Sequence, residues 1–428
     1  RIHDLIFCTK FSTKLNLHSV MKIKEYRVFV VENPPPHYGG AYWTFVKLIT
    51  DSKIEGIGEV YSLPFHPRVV EKMISDICER YVIGHDPFQI EQLWRRVYSS
   101  GYSQRSDLSL MGILSGIETA CWDINGKALE KPVYELLGGL VHPKLRTYTY
   151  LYPDHNDEDR LYNYPEADEK RNVYNDPDLA AEAAAKYADQ GFTALKFDPV
   201  GPYSVYDPRM LSLESMDRAE RFVRQIREAV GNRCDLLFGT HGQMTPESAI
   251  RLAKKIEPYD PLWFEEPVPP ENLEAMKRVA ESTSIPVATG ERLATKYEFA
   301  QVLQKQAAGI LQMALGRVGG LLEAKKIAGM AEAHYALIAP HLYCGPVEGA
   351  ANIHLDACSP NFLIQEGIEK WDGFHAKILK KPIQWEEGYV IPPSEPGLGI
   401  ELNEEVALQH PYSGKGLHLE MHPDPVLL

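Results

Sequence analysis

The sequence predicts a modified (β/α)8 barrel behind an α+β capping domain, and three observations carry that reading. From Leu145 onward short apolar runs alternate strictly with helix-like segments, and eight such units can be counted. From the third unit the repeat settles at about 25 residues, as expected for a parallel barrel. Before Leu145 the pattern differs: alternating strands come first and amphipathic helices come after them. No glycine-rich dinucleotide fingerprint follows any strand, so a closed barrel is favoured over an open doubly wound sheet.

The bulk properties fit a soluble globular protein of one large or two ordinary domains. The chain has 428 residues, 44% hydrophobic and 24% charged. A net charge of −14 argues against nucleic acid or an anionic membrane as partner. No apolar run approaches the length of a membrane span. Cys8, Cys78, Cys121, Cys234, Cys344 and Cys358 are scattered without a CxxC pair, which reads as free thiols of a reducing, cytoplasmic compartment.

Residues 1–20 do not share the patterning of the remaining chain and read as a leader or an added segment, without the apolar stretch of a signal peptide. Residues 21–140 read as the capping domain. Strands are expected over 22–31, 42–49 and 58–61, with a mobile, turn-rich loop over 32–40. Helices are expected over 68–80, 88–98 and 107–129. The barrel spans 141–385, with strands over 147–151, 193–197, 235–238, 262–264, 287–289, 309–313, 336–339 and 361–364. Helices over 179–189, 216–230, 246–256, 271–281, 320–333 and 347–356 separate them. Two loops on the catalytic face are long, the acidic one over 152–176 and another over 199–213, and read as lids or specificity elements. The turn-rich segment 386–428 reads as returning to the capping domain.

In such a barrel the C-terminal ends of the strands converge on one mouth. Trp263-Phe264-Glu265-Glu266-Pro267 and Ala288-Thr289-Gly290-Glu291 each end an apolar run in a carboxylate, one strand–helix repeat apart. Glu265 and Glu291 then face each other, and a hard divalent cation, Mg²⁺, resolves their repulsion. The other strand ends supply Lys196, Asp198, Gly239, His241, Ala314, His341 and Glu366. Lys, His and two Glu around one cation can remove a proton beside a carboxylate, with the cation stabilising the enediolate. Lys196, partly desolvated, is the expected base, and His341, with His241, the acid that expels hydroxide. Taken singly these residues have plainer readings: Lys196 as a buried partner of Glu265, His341 as structural, His241 as a turn residue, Glu366 as the cap of the last strand.

The sequence resembles the enolase superfamily, in its mandelate racemase/muconate lactonizing group and the sugar-acid dehydratases there. The resemblance runs from about residue 21 to the end through Trp122-Asp123-Ile124-Asn125-Gly126-Lys127, Lys131 to Gly139, Trp263 to Pro267, Gly290-Glu291-Arg292, Val318-Gly319-Gly320 and Ala339-Pro340-His341. It implies a capping domain over a modified barrel, one Mg²⁺, abstraction of the proton α to a carboxylate, and an even-numbered homo-oligomer. Three positions depart from the family pattern: Gly239 where the third metal ligand is usually acidic, Asp198 in place of the second lysine of Lys-x-Lys, and Ala314 where an Asp usually pairs with the histidine. A dehydratase of an aldonic or aldaric acid fits these losses better than a two-base racemase. A cycloisomerase or epimerase of an anhydro sugar acid remains an alternative, and so does a non-catalytic sugar-acid binding protein. Substrate contacts are expected from Asp198, Glu366, Tyr42 and Trp43, with specificity in the capping loops over 39–43 and 62–67 and in the two long barrel loops.

Overall fold

The computed structural model describes residues 20–61, 63–153 and 171–426. The first segment except residue 20, Ser62 of one capping loop, and most of the acidic barrel loop lie outside the described residues.

The cap is an antiparallel sheet of β1 (Ile23–Glu32), β2 (Tyr42–Thr50) and β3 (Glu55–Val60), in that order. Helices α1 (Pro67–Ile77), α2 (Ile90–Tyr98) and α3 (Leu108–Ala128) cover it. Asp107 starts α3 by accepting a 2.7 Å hydrogen bond from the Leu110 N–H, satisfying a donor the first turn would leave open. Close approach of α3 to β3 depends on glycine: a Cβ on Gly58 would lie 1.8 Å from the carbonyl oxygen of Gly116. The loop between β1 and β2 is not free as the sequence suggested, because the Asn33 amide donates to the carbonyls of Tyr38 and Gly40, both at 2.8 Å.

The barrel strands are β4 (Leu145–Tyr150), β5 (Ala194–Phe197), β6 (Asp235–Gly239), β7 (Trp263–Glu265), β8 (Val287–Thr289), β9 (Ile310–Leu311), β10 (Leu337–Ile338) and β11 (Gln365–Gly367). Each pairs in parallel with its neighbour from β4 to β10, and β11 pairs back onto β4. A parallel bridge between Ile338 and Phe362 closes the ring. The last strand therefore lies later than the sequence suggested. Residues 361–364 make the closing bridge and the inward layer, and the Asn361 amide is drawn off to the carbonyls of Ala328 and Ala336. Helix starts obey the local sequence: Asp176, Ser212, Thr245 and Asn272 each accept a backbone N–H at an N-cap, with Pro177 and Pro246 in the first turn behind two of them.

A hairpin, β12 (Trp385–Glu386) and β13 (Tyr389–Val390), adds antiparallel to the start of β4, so the chain around residue 385 still pairs with the barrel. Further on, the chain meets the cap. Leu398 donates to Asp123 of α3 at 2.8 Å, and Pro411 bridges Val31 of β1. Asp123 also accepts from Ile57 of β3 at 3.0 Å and from Lys127 at 2.7 Å, which accounts for the spacing of the Trp122-to-Lys127 motif.

One layer of side chains fills the barrel: Tyr148, Ala194, Leu237, Trp263, Ala288, Ile310, Ala339 and Ile364, one from each strand or its immediate flank and all buried. Large and small residues face each other in it, which is how a closed barrel packs without a pore.

Candidate active site

Side chains two positions apart on a strand face the same way. Two residues beyond that apolar layer stand Lys196, Gly239, Glu265, Gln312, His341 and Glu366. Strand alternation thus sets a polar layer on top of a dry one, at the C-terminal mouth.

Lys196 is fully buried and lies between two carboxylates. Its Nζ is 2.7 Å from Glu265 Oε1 and 3.3 Å from Glu366 Oε1. Burial alone would lower its pKa, but Glu265 and Glu366 outweigh that and hold it above the ordinary lysine value. The lowered lysine expected from sequence is therefore not the resting state of this arrangement. The other oxygen of Glu265 accepts from the Trp263 indole at 3.1 Å and the Gln312 amide at 2.9 Å. Glu366 Oε2 accepts the Leu342 N–H at 2.8 Å, so both its oxygens are engaged within the protein. Burial pushes Glu366 up to about 7, against the pull of Lys196.

Glu291 sits just past β8. Its Oε1 accepts from the Tyr61 hydroxyl at 3.2 Å and lies 3.4 Å from His341 Nε2. Its Oε2 is buried without a hydrogen-bond partner and lies 3.8 Å from His241 Nε2. Burial opposes ionisation of Glu291, but His341, His241, Arg317 and Lys196 outweigh it and hold the carboxyl well below the usual range. Burial lowers His341 to about 3, so its imidazole is neutral. His241 is raised: its burial is outweighed by Asp198 and Glu291. Asp198 Oδ2 lies 3.7 Å from His241 Nδ1 and accepts from Gln243 at 3.0 Å, while Oδ1 accepts from Val200 at 2.9 Å.

The motif residues that flank the carboxylates hold this group in place. Glu266 pairs with Arg292 at 2.8 Å, and Arg292 donates to the His241 carbonyl at 2.9 Å. The Thr240 hydroxyl donates to the Glu265 carbonyl at 2.6 Å. The structure thus brings Lys196, His241, Glu265, Glu291, His341 and Glu366 together, with Asp198 behind His241. Tyr42 and Trp43 stand instead in the seam between cap and barrel. Trp43 is 1% exposed, stacks on Phe374 and spends its indole N–H on the Gly39 carbonyl. Tyr42 is 4% exposed and packs on Tyr412 and His418. Their side chains are thus committed to packing, where the sequence suggested substrate contacts. Sequence reasoning missed Tyr61, Gln312 and Gln243 as site residues. Gln312 had a signal, its place at the end of β9; Tyr61 had none beyond ending the third strand.

Two departures from the family pattern have different structural outcomes. At Gly239 the space is used: a Cβ there would lie 2.6 Å from Lys196 Cε and 3.0 Å from its Cγ. At Ala314 no described residue replaces the missing carboxylate. Ala314 bridges His341 directly, and His341 Nδ1 is buried without a hydrogen-bond partner.

The donor set fits a divalent cation. Ligand atoms of His241, Glu265 and Glu291 lie within 4.8 Å of one another, and the unpartnered Glu291 Oε2 offers an ionised oxygen to it. His241 thus lies where it could supply the third donor that Gly239 cannot.

A two-part fold of this kind, with carboxylates at barrel strand ends beneath a cap, defines a class, and the comparisons give its name. Residues 36–138 match the mandelate racemase/muconate lactonizing enzyme N-terminal domain, and residues 178–406 match the enolase C-terminal domain-like family. The chain belongs to the enolase superfamily, in its mandelate racemase/muconate lactonizing group. It is 36% identical over 375 residues to a D-galactonate dehydratase of Ralstonia nicotianae, covering 86% of this chain and 90% of that one. A structure from Labrenzia alexandrii DFL-11, provisionally assigned to the mandelate racemase/muconate lactonizing enzymes, superimposes with a TM-score of 0.90 at 58% identity, covering 95% of this chain and 100% of that one. The mandelate racemase/muconate lactonizing enzyme from Sulfitobacter sp. gives a TM-score of 0.89 at 49% identity, with 95% and 100% covered.

Proposed function

We propose that the protein is a sugar-acid dehydratase, a hydro-lyase that takes the proton α to the carboxylate of an aldonic or aldaric acid and expels a β-hydroxyl. The observation that carries this reading is the buried layer in which Lys196, Glu265, Glu291, His341 and Glu366 meet at one barrel mouth. The D-galactonate dehydratases at about 35% identity support the substrate class. A divalent cation, Mg²⁺ in this reading, would be held by Glu265 and Glu291 with His241, and supplies the positive charge that stabilises an enediolate.

Lys196 and His341 are the proposed acid–base pair. In the resting arrangement Lys196 holds a proton on Nζ, because Glu265 and Glu366 favour the ammonium. His341 is neutral and is the group able to accept one. In this reading His341 takes the α-proton and Lys196 donates to the leaving hydroxyl, the reverse of the roles expected from sequence. Glu366 sets the position of Lys196, and Trp263 and Gln312 fix the plane of the Glu265 carboxylate. A cytoplasmic location belongs to the same reading, and its support is that the described cysteines are all buried free thiols; a homo-oligomer is only what the family resemblance implies.

The test is proton NMR in D₂O with Mg²⁺ and a panel of sugar acids beginning with D-galactonate. Loss of the α-proton signal and growth of a 2-keto-3-deoxy product are expected for one of them. In His341→Ala both exchange and product should vanish, whereas Lys196→Ala should still exchange the α-proton without forming product. No exchange across the panel, together with no Mg²⁺ binding, would overturn the reading.

A further inference from the structure

The last stretch of the chain passes beyond the family match, which ends at residue 406, and its path leads back to the site. Tyr412 donates its backbone N–H to Val30 of β1 at 3.1 Å and packs on Tyr42. Six residues later His418 is 5% exposed. Its two ring nitrogens lie 2.9 Å from the Tyr42 carbonyl oxygen and 2.8 Å from that of Tyr343. One of these carbonyls belongs to the cap and the other to the loop after β10, so the ring closes the seam between them. The socket has a glycine floor: a Cβ on Gly40 would come within 2.0 Å of the ring. Further on, His422 bridges Ser204 in the loop after β5, donating to the Tyr203 carbonyl at 2.9 Å and accepting from Val205 at 3.0 Å. The Ser204 hydroxyl donates to the Asp424 carbonyl at 2.7 Å.

Each anchor point reaches a candidate ligand through an aromatic ring. His418 stands edge-on to Tyr61, with centroids 5.5 Å apart, and Arg317 lies 4.1 Å from the centroid of the same ring. Tyr61, held by these two, donates its hydroxyl to Glu291 Oε1. At the other anchor, the Tyr203 ring lies 4.7 Å from the His241 ring. The tail therefore braces two of the three side chains of the proposed cation site, through two separate anchors.

We infer that the segment from Tyr412 to Asp424 is part of the active site, and that His418 is a positioning residue acting on Glu291 through Tyr61. The inference rests on the proposed function for its catalytic meaning, but the bracing itself does not. A carboxylate whose orienting partner is loosened binds its metal more weakly, typically by about 10- to 100-fold. The same loosening frees the loop after β5, which carries Tyr203 against His241.

The test compares the full chain with a chain ending at Tyr412 and with His418→Asn. The first readout is backbone hydrogen exchange of residues 57–61 and 239–244, which needs neither metal nor substrate. The second is the Mg²⁺ dissociation constant by calorimetry, and the third is KM and kcat for the sugar acid the parent turns over. Faster exchange is expected in both stretches for the shorter chain and in residues 57–61 for His418→Asn, with Mg²⁺ affinity about 10-fold weaker and KM raised more than kcat is lowered. A tail that only adds stability would lower the melting temperature and leave these three unchanged in the folded variants. If the shorter chain does not fold, His418→Asn decides alone. Unchanged exchange in folded His418→Asn overturns the inference. A parent that binds no Mg²⁺ and exchanges no α-proton overturns the proposed function instead, and the exchange comparison still judges the tail.

Discussion

The lysine at the heart of the site lies where it does because residue 239 has no side chain, and Gly239→Ala tests that. Gly239 has no left-handed backbone that alanine would strain, so the whole effect is steric. The new Cβ would stand 2.6 Å from Lys196 Cε, 3.0 Å from Cγ and 3.3 Å from Cδ, against an ordinary carbon–carbon contact of about 3.5–4.0 Å. The stem must retreat by about 1 Å, and the 2.7 Å bridge from Nζ to Glu265 opens with it. Overpacking of this kind costs about 1–3 kcal/mol, and a misplacement of about 1 Å at a reacting group costs about 100-fold in rate. The assay is a double-mutant cycle on urea denaturation midpoints, with turnover measured in parallel. Gly239→Ala should destabilise the parent by about 1–3 kcal/mol and do almost nothing in a Lys196→Ala background, where the stem is gone. An equal cost in both backgrounds would mean that Lys196 does not lie over Gly239. The assignment of the resting proton to Lys196 would then lose its structural basis.

Three further outcomes are expected. Tyr61→Phe removes the hydroxyl that holds Glu291 and should weaken Mg²⁺ binding by about 10-fold in a calorimetric titration, with little change in melting temperature. Asp123→Ala strands the backbone N–H groups of Ile57 and Leu398 and the Lys127 ammonium, and should cost about 3 kcal/mol or more in a denaturation experiment while sparing turnover per folded molecule. The seam holds a buried acidic pair, Glu59 pushed up to about 8 and Glu348 to about 7, each first by burial. The folded state keeps protons there that an unfolded carboxyl gives up near 4.5, so stability falls as pH rises from about 4.5 to about 8. Glu348→Gln removes its share, and the variant should gain roughly 3 kcal/mol on the parent between pH 4 and pH 8 in paired denaturation curves.

The barrel was legible in the sequence because its signal is local: apolar runs, N-cap residues and a steady repeat recur within each unit. Glu265, Glu291, Lys196 and His341 could be picked out because a charged residue at the end of an apolar run is conspicuous without any tertiary information. What escaped is tertiary. Tyr61 reaches Glu291 across 230 positions of sequence, and nothing around it marks that contact. Strand β11 was placed too early because Phe362, Leu363 and Ile364 read as a strand core, whereas the chain uses them to close the ring and fill the apolar layer. The tail read as a return to the cap, and the cap contacts of Leu398 and Pro411 lie along it. Its second contact, with the loop after β5, depends on His418 and His422, and single histidines in a turn-rich segment carry no pattern.

The two departures at Gly239 and Ala314 looked alike in the sequence, each a lost carboxylate, but their structural consequences differ. The first is absorbed. Lys196 takes the volume and lies between two carboxylates, and His241 faces Glu291, where the proposed reading makes it the third donor. The second is not absorbed, since His341 Nδ1 stays buried without a partner beside Ala314. A carboxylate there would stabilise the imidazolium and raise the histidine; without it, burial holds His341 neutral at about 3. The loss at 314 thus leaves His341 weak at holding a proton, while Glu265 and Glu366 hold one on Lys196. In the proposed reading, a site that lacks two family carboxylates thus still has a donor and an acceptor, with the proton resting on the lysine. Ala314→Asp is the sharpest check. Restoring the partner should raise the His341 pKa, leave more of it protonated at neutral pH, and slow α-proton exchange there, recovering as pH is raised. An exchange rate that rises at neutral pH instead would show that His341 works from its protonated form, and the roles of the two residues would have to be exchanged.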